Sequence, residues 1–201
     1  MSERFELPDV SASAELLVRR LRRADLDALP SWGHHTDPLF TDYNVPALRD
    51  IDLDAWWYSF NGDPSRILYA GILDGRLIAQ LTLRAVDRVQ RSADFGISMD
   101  PRYVNAGFGT RFITQLLNIA FDELQLDRVT LDVAGYNRRA VKAYVSCGFI
   151  ETARSWMQLD TRINFRDLLE RSEYAWLKEW VRIEDGVVRF VVLAMEARRS
   201  V

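Results

Sequence analysis

Two chemically versatile residue types are scarce in this chain of 201 residues, and its net charge is small. Cys147 is the single cysteine, which excludes an intramolecular disulfide framework and is compatible with a reducing compartment. The two histidines, His34 and His35, are adjacent, and no third ligand follows at metal spacing, so we expect no metal site. A formal net charge of −3 gives no reason to expect nucleic acid as a partner.

Long apolar runs are also missing. No stretch is apolar for long enough to cross a membrane, and nothing at the N-terminus resembles a signal peptide. We therefore expect a soluble, cytoplasmic protein without a membrane partner. Since 48% of the residues are hydrophobic, a chain of this length can bury one core. We predict a flexible tail over residues 1–12 and a single domain over residues 13–201.

The most informative segment contains a strand, a glycine turn and the start of a helix. Residues 94–99 read as a strand, and Gly107 and Gly109 follow where apolar residues begin to recur at helical spacing. The start of a helix offers unpaired N–H groups and a positive dipole end, and glycine allows close approach to the main chain. This combination suits a pyrophosphate.

A second helix follows the next strand and carries a recognisable spacing of residues. Asn137, Ala140, Tyr144 and the pair Gly148-Phe149 form the pattern Asn-x-x-Ala-x-x-x-Tyr-x-x-x-Gly-Phe. Taken with the glycine turn, the pattern predicts a bound phosphorylated cofactor with a phenol near its reactive end.

The remaining elements are predicted from periodicity, turn residues and caps. They are a strand at 15–21, a helix at 23–29 stopped by Pro30, a long connection at 32–50, a helix at 54–60, a hairpin about Asp74-Gly75, a strand at 128–133, a strand at 149–154, a helix capped by Asn164 that extends to Val181, and a last strand at 187–195. The helical part of the C-terminal third, at about 160–184, reads as an insertion before the last strand.

The order of these elements, the glycine turn and the Asn-Tyr-Gly-Phe pattern resemble the GNAT superfamily of acyl-CoA-dependent N-acetyltransferases. The resemblance covers most of residues 15–149 and resumes at the last strand. It implies an α/β fold with a mixed, mostly antiparallel sheet whose strands 4 and 5 splay apart, flanked by helices. It also implies acetyl-CoA as the acyl donor and an amine as the acceptor.

The resemblance assigns residues to the acetyl-CoA site. The backbone of Ile97, Ser98 and Met99 would pair with the pantetheine arm, and Asn137 would bind that arm or position its own helix. The pyrophosphate would be wrapped by Val104, Asn105, Ala106, Gly107, Phe108, Gly109 and Thr110.

One position departs from the family pattern. Val104 stands where the family turn usually opens with Arg or Gln, so a side-chain contact to phosphate is lost. Either the affinity for the cofactor is lower for this reason, or the contact is replaced by Arg102, Arg138, Arg139 or Lys142.

Two residues are candidates for the chemistry. By the resemblance, Tyr144 would protonate the departing thiolate, and a phenol of pKa ~10 suits that task. Asp94 would take a proton from the substrate ammonium, directly or through water. A surface carboxylate on a strand explains Asp94 equally well at this stage.

The acceptor side is less defined. His34, His35, Trp56 and Trp57 would contact the acceptor, or they are surface and packing residues. The acceptor is a protein N-terminus or a small amine, attacked in a direct transfer without an acyl-enzyme. The sequence leaves open a homodimer and a second function, a non-catalytic acyl-CoA-binding or sensing module.

Overall fold

The computed structural model describes residues 15–44, 53–158 and 161–199, so the predicted tail over residues 1–12 lies outside the described residues. Within them, one sheet contains β1 (Leu16–Arg20), β2 (Ile67–Leu73), β3 (Arg76–Asp87), β4 (Ser92–Met99), β5 (Arg128–Ala134), β6 (Ile150–Gln158), β7 (Val181–Glu184) and β8 (Val187–Arg198). The order is β1-β2-β3-β4-β5-β8-β6, and β7 also pairs with β8. Among the strands that the structure describes, only β4 and β5 pair in parallel, which confirms the predicted mixed, mostly antiparallel sheet.

Helices cover both faces of this sheet. They are α1 (Leu53–Asn61), α2 (Phe108–Asn118), α3 (Arg138–Ser146) and α4 (Phe165–Glu170), with 3₁₀ helices at Arg23–Ser31, Pro38–Tyr43, Pro101–Tyr103 and Ser172–Glu179 and a π-helical turn at Ile119–Glu123.

The two faces carry different cores because side chains alternate along each strand. Tyr69 belongs to the cluster that packs against α2 and α3. Its neighbours Leu68 and Ala70 belong to the cluster under α1 and the 3₁₀ helix Arg23–Ser31. We call these the α2/α3 face and the α1 face. A third cluster joins Leu39 to the C-terminal third of the chain, through Tyr136, Phe165 and Phe190.

The hairpin prediction about Asp74-Gly75 is confirmed. Asp74 and Gly75 connect β2 to β3 with φ of 47° and 76°. Both angles are positive, as the tight turn that suits a twisted hairpin requires.

The predicted helix over residues 23–29, ended by Pro30, is wrong in type and extent. The segment Arg23–Ser31 is a 3₁₀ helix that contains Pro30. Leu26, Leu29 and Trp32 are buried on one side of it, and their spacing of three residues matches the three residues per turn of a 3₁₀ helix.

The predicted helix from Asn164 to Val181 is also wrong beyond its first turns. Asn164 does cap α4, by accepting from the backbone N–H of Asp167 at 3.3 Å. The helix ends at Glu170 because Arg171 is extended, and residues 181–184 form β7 instead of helix. Val181 pairs with Phe190 of β8, so pairing with the sheet overrides the helical spacing of the aromatic residues.

Candidate active site

The central feature of the site is a wedge between β4 and β5. The two strands pair only from Ser92 opposite Arg128 to Asp94 opposite Thr130. Beyond that row, β4 stays paired with β3 as far as Met99, and β5 stays paired with β8 as far as Ala134, but the two strands no longer pair with each other. The two strands therefore splay apart, as the resemblance implies. The backbone of Ile97, Ser98 and Met99 lies along the opened side of the wedge.

The glycine turn lies between the open end of β4 and the start of α2. Asn105 and Gly107 have φ of 64° and 81°, so the chain alternates its handedness just before the helix. Gly107 is the N-cap of α2 and offers no side chain to the first N–H groups of the helix. Those donors are left for an anion, which is the arrangement that binds phosphate.

The second glycine of the turn has a steric reason. A Cβ at Gly109 would lie 3.1 Å from Sδ of Met99, closer than nearly all ordinary contacts. The side chain at the end of β4 therefore packs directly on the first turn of α2. Glycine allows the strand end, the turn and the helix start to form one compact loop.

A buried carboxylate, which the sequence did not single out, organises this loop. Asp100 has no exposed surface and accepts from the backbone N–H of Gly33 at 3.0 Å. It also forms an ion pair with Arg102 at 2.6 Å, and Arg102 in turn donates to the carbonyl of Ser31 at 2.7 Å. The guanidinium of Arg102 thus connects the turn to the N-terminal segment. Because its donors are used in this way, Arg102 is a poor candidate for the phosphate contact that the side chain at position 104 does not provide.

Asn137 is buried at the start of α3. Its side-chain oxygen accepts from the backbone N–H of Ala140 at 3.2 Å, so it caps the helix. This geometry supports the second of its two implied roles, positioning the helix beside the wedge.

Tyr144 projects from α3 into the core on the α2/α3 face. Its ring packs edge-on against Phe95 of β4 at 6.2 Å and against Phe149 at 5.8 Å. Burial raises the pKa of Tyr144 to about 12, and the nearby phenol of Tyr43 adds to the effect. None of the described residues hydrogen-bonds to its hydroxyl. The phenol is therefore a protonated, unused donor at neutral pH.

Asp94 lies on the opposite face of the sheet. Its neighbours Ala93 and Phe95 are buried on the α2/α3 face, whereas Asp94 is exposed. It stands in the last row in which β4 and β5 pair, and its carboxylate accepts a short hydrogen bond from the hydroxyl of Thr130. The register places Glu196 of β8 in the same row, and Asp132 follows Thr130 on the same face of β5. A carboxylate therefore marks the closed end of the wedge, across the sheet from Tyr144.

The two histidines differ in their surroundings. His34 is exposed, whereas His35 is 5% exposed and its ring lies 5.9 Å from that of Phe40. The backbone N–H of His35 donates to Asn44 at 2.6 Å. Packing thus accounts for His35, and residues 45–50 of the predicted connection lie outside the described residues.

The two tryptophans of α1 pack over the far half of the sheet. Trp56 and Trp57 are half-buried against the cluster that includes Leu26, Leu68 and Leu77. They lie on the α1 face, as Asp94 does, but over β1 to β3. Packing explains their burial, and contact with an acceptor stays a prediction.

The 3₁₀ helix Pro38–Tyr43 is fastened to the C-terminal third by contacts that no local signal predicts. Asp37 accepts from the phenol of Tyr174 at 2.7 Å, and Asp42 accepts from the hydroxyl of Thr161. Burial and a hydrogen bond with Tyr43 raise the pKa of Tyr136. Tyr43 thus links the loop electrostatically to both Tyr136 and Tyr144.

No group of three or more potential metal ligands occurs in the described part of the chain. No helix among residues 15–44, 53–158 and 161–199 is long and apolar enough to cross a membrane.

A family model described as "Acetyltransferase (GNAT) domain" matches residues 15–150. The chain is also similar to the L-amino acid N-acetyltransferase AaaT of Escherichia coli strain K12, with 26% identity over 68% of this chain and 83% of that protein. It is 26% identical to a spermidine N(1)-acetyltransferase of Vibrio cholerae, over 69% of this chain and 81% of that protein. The putative ribosomal N-acetyltransferase YdaF of Bacillus subtilis is 25% identical, over 75% of this chain and 78% of its own length.

Solved structures share the fold. The spermidine N-acetyltransferase of Vibrio cholerae in complex with CoA and spermine superimposes with a TM-score of 0.65. The match covers 91% of this chain and 95% of that one, at 22% sequence identity. A structure described as a probable acetyltransferase gives a TM-score of 0.62 at 19% identity, over 92% of this chain and 93% of that one.

Proposed function

Since the chain belongs to the GNAT family of acetyltransferases and is an acyl-CoA-dependent N-acetyltransferase, we propose that it acetylates a primary amine of a small cationic molecule by direct attack in a ternary complex. A polyamine of the spermidine type is the first candidate. The observation that carries this proposal is the wedge between β4 and β5, with the phenol of Tyr144 on one face and the carboxylate of Asp94 on the other.

The residues around the wedge fit an acyl-CoA. The first N–H groups of α2 and the positive-φ turn at Asn105 and Gly107 suit the pyrophosphate. The open edge of β4 offers main-chain donors and acceptors to the amide-bearing pantetheine arm, as an added strand would find them. Bound there, acetyl-CoA supplies the activated acetyl group as a thioester.

The acceptor approaches from the α1 face. Asp94 would take a proton from the ammonium, directly or through water, because only the neutral amine has a lone pair for attack. The amine nitrogen forms a bond to the thioester carbonyl carbon, and main-chain N–H groups of the wedge would stabilise the developing oxyanion.

The leaving group departs toward the α2/α3 face. As the carbon–sulfur bond breaks, the electron pair stays on sulfur, and Tyr144 would supply the proton that gives a free thiol. The nitrogen of the new amide would release its extra proton to solvent, and the Tyr144 phenolate would take up a proton from solvent for the next turnover. The hydroxyl has no competing partner among the described residues, so its proton is available. Its elevated pKa keeps that proton in place until negative charge develops nearby.

The acceptor class rests on charge and on the relatives. Asp94 and Asp132 are exposed on the α1 face beside the wedge, with Glu196 in the row of Asp94. Glu196 is paired with Arg198, which leaves Asp94 and Asp132 as the carboxylates that would attract a cation. Arg84 lies opposite Asp94 in the register of β3 and β4 and offsets part of this negative charge. Two of the similar proteins named above act on spermidine or an amino acid by their names.

An acceptor panel tests this proposal. Thiol release from acetyl-CoA would be measured with spermidine, spermine, single amino acids and a peptide with a free N-terminus. We expect the highest kcat/KM for a polyamine, with a KM that rises with ionic strength because charge attraction is screened. Turnover of the peptide alone would overturn the acceptor class and leave the transferase activity standing. Turnover of no amine would count against the whole proposal.

A further inference from the structure

Asp94 lies between two side chains that can each bind its carboxylate. In the sheet register, Arg84 of β3 is directly opposite Asp94 on one side, and Thr130 of β5 is opposite it on the other. The hydroxyl of Thr130 donates a short hydrogen bond to the carboxylate. Among the described residues, no ion pair joins Asp94 to Arg84. The carboxylate is therefore directed toward β5, across the closed end of the wedge, and away from β3.

The orientation of Arg84 differs from that expected of a residue in this position. Oppositely charged residues that face each other in an antiparallel pair have Cβ atoms ~5 Å apart and attract each other. Arg84 instead extends over Gly96, where its guanidinium carbon lies 3.9 Å from the position that a Cβ would occupy. Arg84 is exposed, and no carboxylate of the described residues forms an ion pair with it. It is therefore a cation within reach of Asp94 that does not bind it.

Thr130 is well suited to hold the carboxylate. A hydroxyl has a single proton to donate. The carbonyl of Ala93, a second acceptor near this hydroxyl, lies at 3.4 Å, beyond the usual range of such bonds, so the proton is directed to Asp94. Threonine is β-branched and stiff at χ1, and Thr130 is half-buried in a paired strand. The hydrogen bond thus fixes an exposed carboxylate that would otherwise be free to rotate.

We propose that Thr130 is a positioning residue, which holds the carboxylate of Asp94 toward the wedge against the competing attraction of Arg84. This inference rests on the proposed function, in which Asp94 takes a proton from the amine. The hydroxyl occupies one oxygen of the carboxylate, and the other oxygen stays available to the ammonium or to a bridging water. Without the hydroxyl, Asp94 would rotate toward β3 and form an ion pair with Arg84, and the wedge would lose its proton acceptor.

Two substitutions at residue 130 test the hydroxyl. Thr130→Val keeps the β-branched shape and removes the donor, whereas Thr130→Ser keeps the donor. We expect Thr130→Val to lower kcat/KM for the amine by about 10-fold, because a misplacement of about 1 Å can cost up to ~10²-fold, with an unchanged KM for acetyl-CoA. Thr130→Ser should retain most of the activity. Thr152→Val is the matched control with wild-type rates expected, since Thr152 lies on β6, where its hydroxyl donates to the carbonyl of Ala194 at 3.2 Å.

A double-mutant cycle tests the competition. Arg84→Gln removes the charge that would capture Asp94. In that background, Thr130→Val should lower kcat/KM for the amine by about 3-fold or less, because the released carboxylate has no opposing cation to bind. A crystal structure of Thr130→Val should show the ion pair between Asp94 and Arg84, a readout that does not depend on activity. Thermal unfolding of each variant checks that it folds.

The outcomes separate this inference from the proposed function. Wild-type activity of Thr130→Val, with Asp94→Asn impaired, would overturn the positioning role and leave Asp94 as the base. Equal losses in Thr130→Val and Thr130→Ser would indicate packing instead of the hydrogen bond, and a loss of the same size in the Arg84→Gln background would exclude the competition. A crystal structure of Thr130→Val in which Asp94 keeps its orientation would overturn the inference whatever the activity. Wild-type rates of Asp94→Asn would overturn both the base and its positioning.

Discussion

At the scale of single residues, the proposed mechanism depends on two side chains that lie close in the fold and face opposite sides of the sheet. Tyr144 is buried against Phe95, and Asp94, the residue before Phe95, points the other way. The alternation of a strand thus separates the proposed acid from the proposed base across the wedge. In the proposed mechanism, the amine enters from one side of the sheet and the thiol leaves toward the other.

Removing the phenol should slow the chemistry and leave binding intact. We expect Tyr144→Phe to lower kcat by about 10²-fold, the lower end of the range for a general acid, with an unchanged KM for acetyl-CoA. Because the pKa of Tyr144 is about 12, the reduction should be equal at neutral and mildly alkaline pH. Initial rates of thiol release measure it. An unchanged kcat would remove Tyr144 from the acid role.

The same pKa shift predicts a contribution to stability. The pKa of Tyr144 is higher in the folded state, about 12, than the ~10 of an exposed phenol. Its contribution is therefore fully present below pH ~10 and is lost as the pH rises toward 12. Two pKa units correspond to about 2.7 kcal/mol. Urea unfolding should show a smaller alkaline loss for Tyr144→Phe than for the wild type, whereas equal losses would contradict the burial of the phenol.

Replacing the proposed base should have a pH-dependent effect. Asp94→Asn removes the proton acceptor, so attack must await amines that are already neutral in solution. We expect kcat/KM for the amine to fall most at neutral pH, and the loss to shrink as the pH approaches the ~10.4 of an alkylammonium. Asp132→Asn is the matched comparison on the same face. A larger effect at Asp132 would move the base to that residue.

At the scale of elements, the start of α2 has a glycine N-cap and no capping side chain. Gly107 caps the helix with φ of 81° and no capping hydrogen bond from a side chain, and Asp100 fixes the preceding turn from inside. The helix consequently begins with N–H donors that no capping side chain occupies, after a turn that Asp100 holds by hydrogen bonds. This is the physical basis for assigning the pyrophosphate to this element.

A pair of glycine variants separates binding from folding. Gly107 and Gly75 both have φ near +80° and open space where a Cβ would be added. Alanine at either position should therefore lower the free energy of unfolding by a similar amount, roughly 1–2 kcal/mol. Only Gly107→Ala should raise the KM for acetyl-CoA, since Gly75 lies in the β2–β3 turn. Equal KM values of both variants for acetyl-CoA would show that the pyrophosphate does not bind at this loop.

At the scale of the whole molecule, segments far apart in sequence are held together around the third hydrophobic cluster. The 3₁₀ helix Pro38–Tyr43 is fastened to the C-terminal third through Asp37 and Tyr174 and through Asp42 and Thr161. The third hydrophobic cluster fills the space between them. The C-terminal third is therefore a structural part of the region beside the wedge.

Loosening that connection should affect the acceptor and not the acyl donor. Tyr174→Phe removes the hydrogen bond to Asp37, which should cost about 1 kcal/mol of stability and raise the KM for the amine. The KM for acetyl-CoA should stay unchanged, because the glycine turn is fixed separately by Asp100. Tyr58→Phe, on an exposed tyrosine of α1, is the control. Equal changes in both KM values would contradict a role limited to the acceptor side.

The sequence by itself determined the features that act over a few residues. The glycines before α2, the cap at Asn164 and the turn at Asp74-Gly75 are local conformational requirements, so each could be predicted from composition and spacing. The glycine turn, the order of the elements and the spacing of Asn137, Tyr144 and Gly148-Phe149 carried the resemblance to the family.

Only the tertiary structure decided the rest, because it depends on contacts between distant parts of the chain. Asp100 meets Gly33 and Asp37 meets Tyr174 across separations of 67 and 137 residues, which no local pattern encodes. Pairing with β8 turned a predicted helical segment into β7. The order of strands likewise placed β6 at the edge of the sheet and closed the wedge at Asp94, since a strand's neighbours are set by packing of the whole sheet and not by its own residues.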